Sequence, residues 1–368
     1  MSVPAPRDFA RPPGRSEPDR PVSRCAGGSP TLADVSPSGP LTSQPVIVDD
    51  LARVETTLRD SVAAEDPFLT EVVSHLMNAG GKRGRPMFAV AAGACAHPDL
   101  RPATDDVIAG GVAVELVHLG SLYHDDVMDE ADTRRTVQSV NARWDNLTAI
   151  LAGDYLLAKA SEIAASLGTE VAGLLARTIA HLCEGQVYEL QHTFNVGRTE
   201  ADYLRSIDGK TAALFATASR IGGLVGGLDR TQVDALTEFG RGYGMAFQIV
   251  DDVLDISATD EQLGKPAGHD LVEGTYTLPV LRCLAADGPA ATTLREILGR
   301  VPSPDEVVVA RNLVRSSGMV TSALDTASDF IDGACAALGR VGNCAATEAM
   351  AAQARALVDS GRAIADAA

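Results

Sequence analysis

Two acidic runs in this chain share one spacing. Asp125-Asp126-Val127-Met128-Asp129 and Asp251-Asp252-Val253-Leu254-Asp255 each close an apolar, helix-like segment, VAVELVHLGSLYH before the first and GYGMAFQIV before the second. On a helix, residues four apart share a face, so Asp125 pairs with Asp129 and Asp251 with Asp255. Two carboxylates on one face of an apolar segment are costly unless a cation sits between them. An all-oxygen donor set suits Mg²⁺ or Ca²⁺ better than zinc. A solvated acidic helix end with arginine ion pairs, each worth at most about 1 kcal/mol, explains one such run but poorly explains two. Acids at a helix C-terminus also oppose the helix dipole, so stability alone would place Lys or Arg there.

Elements to hold these runs are legible in composition and periodicity. The 368 residues are 45% hydrophobic and only 4% aromatic, which suits close-packed helices better than β-sandwiches. Helical periodicity predicts helices near 47–65, 68–79, 86–97, 105–129, 147–166, 169–193, 200–209, 211–226, 230–258, 277–287, 304–316, 319–339 and 345–366, with breaks at AHPDLRP, LGTE, GLDRT and DGPA. No block of strand alternation stands out. The expectation is an all-α single domain over 46–368, a large helical bundle around a central cavity. Residues 1–45 hold ten of the nineteen prolines with many Ser, Gly and Arg, and read as a disordered tail without the pattern of a targeting peptide.

Charge and cysteine usage narrow the function. A net charge of −18 without a basic stripe argues against nucleic acid. An anionic substrate would need a site that gathers its own positive charge. The chain has 31 Lys plus Arg, of which only Lys82, Lys159, Lys210 and Lys265 are lysines. Three of them, Lys82, Lys210 and Lys265, stand beside glycine, where a compact ammonium suits phosphate binding. The six dispersed cysteines lack a CxxC pair and read as free thiols in a reducing, cytoplasmic setting. No uninterrupted apolar stretch approaches the roughly 18 residues of a membrane span.

Taken together, GGKRGRP (80–86), HLGSLYHDDVMDEADTRR (118–135), LAGDYLLAKA (151–160), GKT (209–211), FQIVDDVLD (247–255) and LGKPAGHD (263–270) resemble the trans-isoprenyl diphosphate synthase, or polyprenyl synthetase, family, over roughly residues 46–366. The resemblance implies head-to-tail coupling of isopentenyl diphosphate to an allylic diphosphate in a homodimer. It implies Mg²⁺, three ions per site, bridged to Asp125, Asp129 and Asp251, with Asp126, Asp252 and Asp255 completing or supporting the metal shells. Arg134, Lys210 and Lys265 would grip the allylic diphosphate, while Lys82, Arg85, His118 and Arg135 would bind isopentenyl diphosphate. Thr211 and Gln248 would line the reacting centre, where a dipole steadies a developing cation. Charges of about −6 from six Asp and −3 from the diphosphate then balance about +9 from three metal ions and three side chains. His124 and Lys159 read as structural and surface residues.

Family members with bulky side chains four or five positions before the first Asp make short products. Here those positions are Ser121 and Gly120, which implies an open tunnel floor and a heptaprenyl-to-decaprenyl product. Two positions depart from the family pattern. Thr136 follows the Arg pair where Gly is usual, and Thr275 stands where many members carry a further Lys. The diphosphate grip is then weaker there, or another cation substitutes. A terpene cyclase is disfavoured because Asp255 fills the Ser/Thr position of its second metal motif. A non-catalytic partner subunit would lose acidic motifs, and an EF-hand would need its twelve-residue Gly-containing loop.

Overall fold

The structure, a computed structural model, describes residues 39–260 and 266–367. Its helices are α1 (Pro45–Ser61), α2 (Pro67–Asn78), α3 (Gly84–Ala94), α4 (Asp105–Met128), α5 (Val140–Arg143), α6 (Asn146–Ser166), α7 (Thr169–Leu190), α8 (Glu200–Ile207), α9 (Ala213–Val225), α10 (Arg230–Ser257), α11 (His269–Glu273), α12 (Leu278–Ala285), α13 (Pro289–Ile297), α14 (Pro304–Ser316), α15 (Met319–Leu338) and α16 (Ala345–Ala367). The all-α expectation holds, and the long helices fall where periodicity put them.

α4 and α10 form the spine, because each needs burial on nearly every side. Thr104 caps α4 by accepting from Val107 N at 3.3 Å, and Asp105 and Asp106 favour its positive end. α4 then packs against α1, α3, α6 and α9. α10 starts from a reciprocal capping box between Asp229 and Gln232 and packs on α9, α15 and α16. Both acidic runs therefore ride on the C-terminal turns of deeply packed helices. By length and composition α4 could cross a membrane, yet 72% of its apolar window is buried inside the protein.

Four features escape periodicity. α5 and α11 are too short to show it. α13 begins at Pro289, inside the expected DGPA break, since proline at the first helical turn starts a helix as readily as it ends one. The fourth is a two-stranded antiparallel hairpin, β1 (Thr133–Arg134) and β2 (Val137–Gln138). Arg135 and Thr136 at its tip have φ of 52° and 64°, as a two-residue turn with both centres left-handed requires.

Most of the expected tail, residues 1–38, lies outside the described residues. Residues 39–45 depart from the expectation: they form a turn leading into α1, and Leu41 is fully buried with its N–H donating to Gln353 Oε1 at 3.3 Å. An apolar anchor there outweighs the local Pro and Ser content. Of the cysteines in the described residues, Cys95 and Cys283 are buried, Cys335 and Cys344 half-buried, and Cys183 exposed.

Candidate active site

The first acidic run occupies the last turn of α4. Asp129 closes the helix, its N–H bonding Asp125 O at 2.8 Å. Asp125 is pushed up to about 6 by burial and by Asp129, against the pull of Lys210 and Arg134. Burial likewise raises Asp129. Asp126 is fully buried, accepts from Arg134 Nε at 2.6 Å through Oδ1, and leaves Oδ2 without a partner.

Lys210 reaches this run from a π-helical turn, Asp208–Ala212, that links α8 to α9. Two glycines bring the turn close. A Cβ on Gly209 would lie 2.9 Å from His181 O, and one on Gly185 would lie 2.5 Å from Lys210 N. α7 and the turn thus touch backbone to backbone. Lys210 Nζ donates to Glu189 Oε1 at 2.6 Å, and Glu189, Asp125 and Asp129 together raise its pKa despite burial.

The second run ends α10, and its three carboxylates have different jobs. Asp251 is exposed. Asp252 is buried, accepts from Tyr203 Oη at 2.5 Å and from Gln248 Nε2 at 2.8 Å, and is raised by burial to about 7. Gln248 Oε1 in turn accepts from Thr211 Oγ1 at 2.7 Å. Asp255 is buried and accepts from the backbone of His269 (3.3 Å) and Asp270 (3.2 Å), so it anchors the start of α11. Asp252 and Asp125 both feel the charge of Glu189, so both runs border one electrostatic space.

A second cationic cluster lies beside the first run. His118, seven residues before Asp125, is half-buried and pushed well below its ordinary pKa by burial and by Arg85, Arg135, Arg134 and Arg83. It is therefore a neutral donor among arginines. Arg85 lies over the Phe215 ring, with its guanidinium carbon 4.9 Å from the centroid. Its Nε is buried without a partner, and burial lowers it to about 10. Arg135 Nη1 donates to Leu76 O at 3.0 Å and to Gly80 O. Lys82 is exposed on the same Gly-rich loop. Sequence reasoning missed Arg83, which locks that loop to Glu55 Oε2 at 2.8 Å and to Glu115 Oε1 at 3.2 Å. It also missed Glu189, Arg198 and Tyr203, which stand in no motif. Lys265 lies outside the described residues.

The chain-length positions divide. Ser121 is half-buried, its hydroxyl donating to His118 O at 2.9 Å. Gly120 faces α6, where an added Cβ would lie 3.1 Å from Gly153 O and 3.2 Å from Leu157 Cγ. Its small size serves helix packing there. Tyr123 turns away as expected and donates to Val72 O at 2.8 Å.

Among the described residues, no three acid, His or Cys groups converge closely enough to hold an ion by themselves. The donor set nonetheless fits a hard divalent metal: it is all oxygen, its carboxylates are raised by burial, and Asp126 keeps an unused oxygen. Mg²⁺ is commonly held by one or two carboxylates plus substrate phosphates, not by a complete protein cage.

Carboxylate pairs set against buried cations in a helical bundle fit a site that holds a divalent ion together with an anionic ligand. Comparison with known proteins narrows the class. The family model described as polyprenyl synthetase matches residues 66–314. A nonaprenyl diphosphate synthase of Mycobacterium tuberculosis is 41% identical over 281 residues, 76% of this chain and 83% of that protein. A polyprenyl synthase from Caulobacter crescentus CB15, solved with calcium and isoprenyl diphosphate, superposes with a TM-score of 0.81 at 34% identity, covering 87% of this chain and 98% of that one. A decaprenyl diphosphate synthase from Rhodobacter capsulatus gives a TM-score of 0.80 at 33% identity, with the same coverage. The chain belongs to the polyprenyl synthetase family. It is a trans-prenyltransferase that uses a divalent metal and isoprenyl diphosphates.

Proposed function

We propose that this enzyme adds isopentenyl diphosphate head-to-tail to an allylic diphosphate and releases a long trans-polyprenyl diphosphate of about C35–C50. The observation that carries this reading is the shared surroundings of the two acidic runs. Lys210 bonds Glu189 at 2.6 Å and feels the carboxylates of Asp125 and Asp129, and Glu189 also acts on Asp252. Such an arrangement suits a leaving diphosphate held from both sides.

Asp125, Asp129 and Asp251 would hold Mg²⁺, three ions in the full complex, with Asp126 and Asp252 supporting them. When bound, the metal draws negative charge from the departing diphosphate. Arg134, Lys210 and Lys265 would grip the allylic diphosphate. Lys82, Arg85, His118 and Arg135 would orient isopentenyl diphosphate, with His118 neutral so that it donates without adding to the repulsion among arginines. Thr211 and Gln248 would line the reacting centre, where an oxygen dipole steadies developing positive charge. Asp255 would complete or support the metal shell while also fixing the start of α11. The surrounding helices keep water from the cation.

A homodimer is part of this reading. Leu147, Ile150 and Leu151 on α6 and Val187 and Leu190 on α7 are large apolar side chains left exposed. α6 and α7 pack on each other across a short connection, so these residues gather at one end of the pair.

The test is incubation of the purified chain with Mg²⁺, isopentenyl diphosphate and geranyl, farnesyl or geranylgeranyl diphosphate, followed by mass measurement of the dephosphorylated alcohols. Products of seven to ten isoprene units are expected. Products stopping at geranylgeranyl would overturn the length, and consumption of the allylic substrate alone would point to a cyclase.

A further inference from the structure

Arg198 lies in the segment between α7 and α8, directly before the α8 cap Thr199, and is only 5% exposed. Its Nη1 donates to Tyr276 O at 3.3 Å, and its guanidinium carbon lies 5.6 Å from the Tyr203 ring centroid. The other two nitrogens, Nε and Nη2, are buried and have no hydrogen-bond partner. A guanidinium stays charged at any working pH, so silent buried donors on it are costly unless a ligand completes them. Burial lowers its pKa, with Glu189, Tyr203 and Asp252 opposing that shift.

Arg198 lines one pocket together with Lys210, Thr211, Gln248, Asp252 and Thr275. Lys210 is already engaged by Glu189 at 2.6 Å. Arg198 makes no ion pair with a carboxylate among the described residues and keeps donors in hand. Thr275, in the same pocket, is the position at which the family pattern leads one to expect a lysine. An uncharged residue there and an unsatisfied guanidinium nearby are complementary observations.

We propose that Arg198 is a substrate-binding residue of the diphosphate pocket and supplies the positive charge that Thr275 lacks. This rests on the prenyl-transfer reading above and extends it to a residue outside every motif. The Nε and Nη2 edge of a guanidinium presents two parallel N–H groups, which match two oxygens of one phosphate. A lysine at the position of Thr275, which lines the same pocket, would offer the same charge.

Three variants test it: Arg198→Met, Thr275→Lys and the double variant. Two readouts are used, the KM for farnesyl diphosphate and calorimetric binding of inorganic pyrophosphate with Mg²⁺. Loss of two charge-assisted hydrogen bonds predicts that Arg198→Met weakens both by about 100-fold or more, with KM for isopentenyl diphosphate nearly unchanged. The double variant recovers most of that loss, whereas Thr275→Lys alone changes pyrophosphate affinity less than about threefold because the charge is already present. Unchanged farnesyl diphosphate KM and pyrophosphate affinity in Arg198→Met overturn the proposal, as does a loss the double variant fails to recover. Should Arg198→Met not fold, Thr275→Lys still decides: tightening of pyrophosphate by tenfold or more means that no cation served there before. Wild-type protein without prenyl transfer would remove the parent reading. Wild-type transfer with an indifferent Arg198 removes only this inference.

Discussion

Gln248 Nε2 donates to Asp252 Oδ1 at 2.8 Å, one turn along α10. With Thr211 on its other end and Tyr203 on the far oxygen of Asp252, Gln248 joins two helices and a π-helical turn into one hydrogen-bonded line. Gln248→Leu keeps the volume but leaves Asp252 with one donor and the Thr211 hydroxyl without an acceptor. A hydrogen bond to a charged group is worth about 1.5–3 kcal/mol, so kcat/KM should fall about 10- to 100-fold. Steady-state kinetics on the folded variant check this, and a change below twofold would show that the line does not serve the site.

Burial raises Asp252 from 3.8 to about 7 and Asp125 from 3.8 to about 6. A carboxyl with a higher pKa folded than unfolded binds its proton more tightly when folded. Its contribution to stability is present below about pH 4 and is lost as pH rises through about 6–7. Metal-free protein should therefore melt at progressively lower temperature across that window. Mg²⁺ binds the ionised form, so its affinity should increase with pH, and binding should release protons at about pH 6 but few at about pH 8. Calorimetry in buffers of different ionisation enthalpy counts those protons. A count of zero at the lower pH would contradict the buried, raised carboxylates.

Thr136 has a φ of 64° at the tip of the β1–β2 hairpin, a conformation costly for a β-branched residue. Relief of about 1–3 kcal/mol of strain, offset by roughly 0.5–1 kcal/mol of glycine entropy, predicts that Thr136→Gly stabilises the protein by about 1 kcal/mol. Thermal unfolding should show a higher Tm, with activity retained because Arg134 and Arg135 keep their backbone positions. A lower Tm would mean that the Thr136 hydroxyl, which donates to Arg135 O at 2.6 Å, outweighs the strain.

The departure at Thr136 was visible in the sequence, but its physical meaning was not. A hairpin of two residues per strand has no alternation to read. The long helices were legible because each has an apolar face of many turns, and both acidic runs were legible because their spacing repeats. Glu189 and Arg198 were silent because nothing local marks them; they reach one pocket through segments that meet only in the fold. Asp255 was legible by its spacing, which matches Asp129, but its bonds to the backbone N–H groups of His269 and Asp270 were not, because α11 is too short to announce itself.

Product length offers a final discrimination, between two neighbours on α4. Gly120 meets α6 closely: a Cβ there would fall 3.1 Å from Gly153 O, a backbone atom that cannot step aside. Gly120→Phe should therefore force α4 and α6 apart and lower Tm, with overpacking of this kind costing about 1–3 kcal/mol. A shorter product from that variant would be hard to separate from a damaged fold. Ser121 is half-buried and held only by a bond to its own helix, at His118 O. Ser121→Phe should keep its Tm within a few degrees and shift the alcohols by several isoprene units toward shorter chains. Mass measurement of the alcohols beside a melting curve separates the cases. An unchanged product from a stably folded Ser121→Phe would mean that the growing chain does not pass this turn of α4, and the floor would have to be sought on another helix.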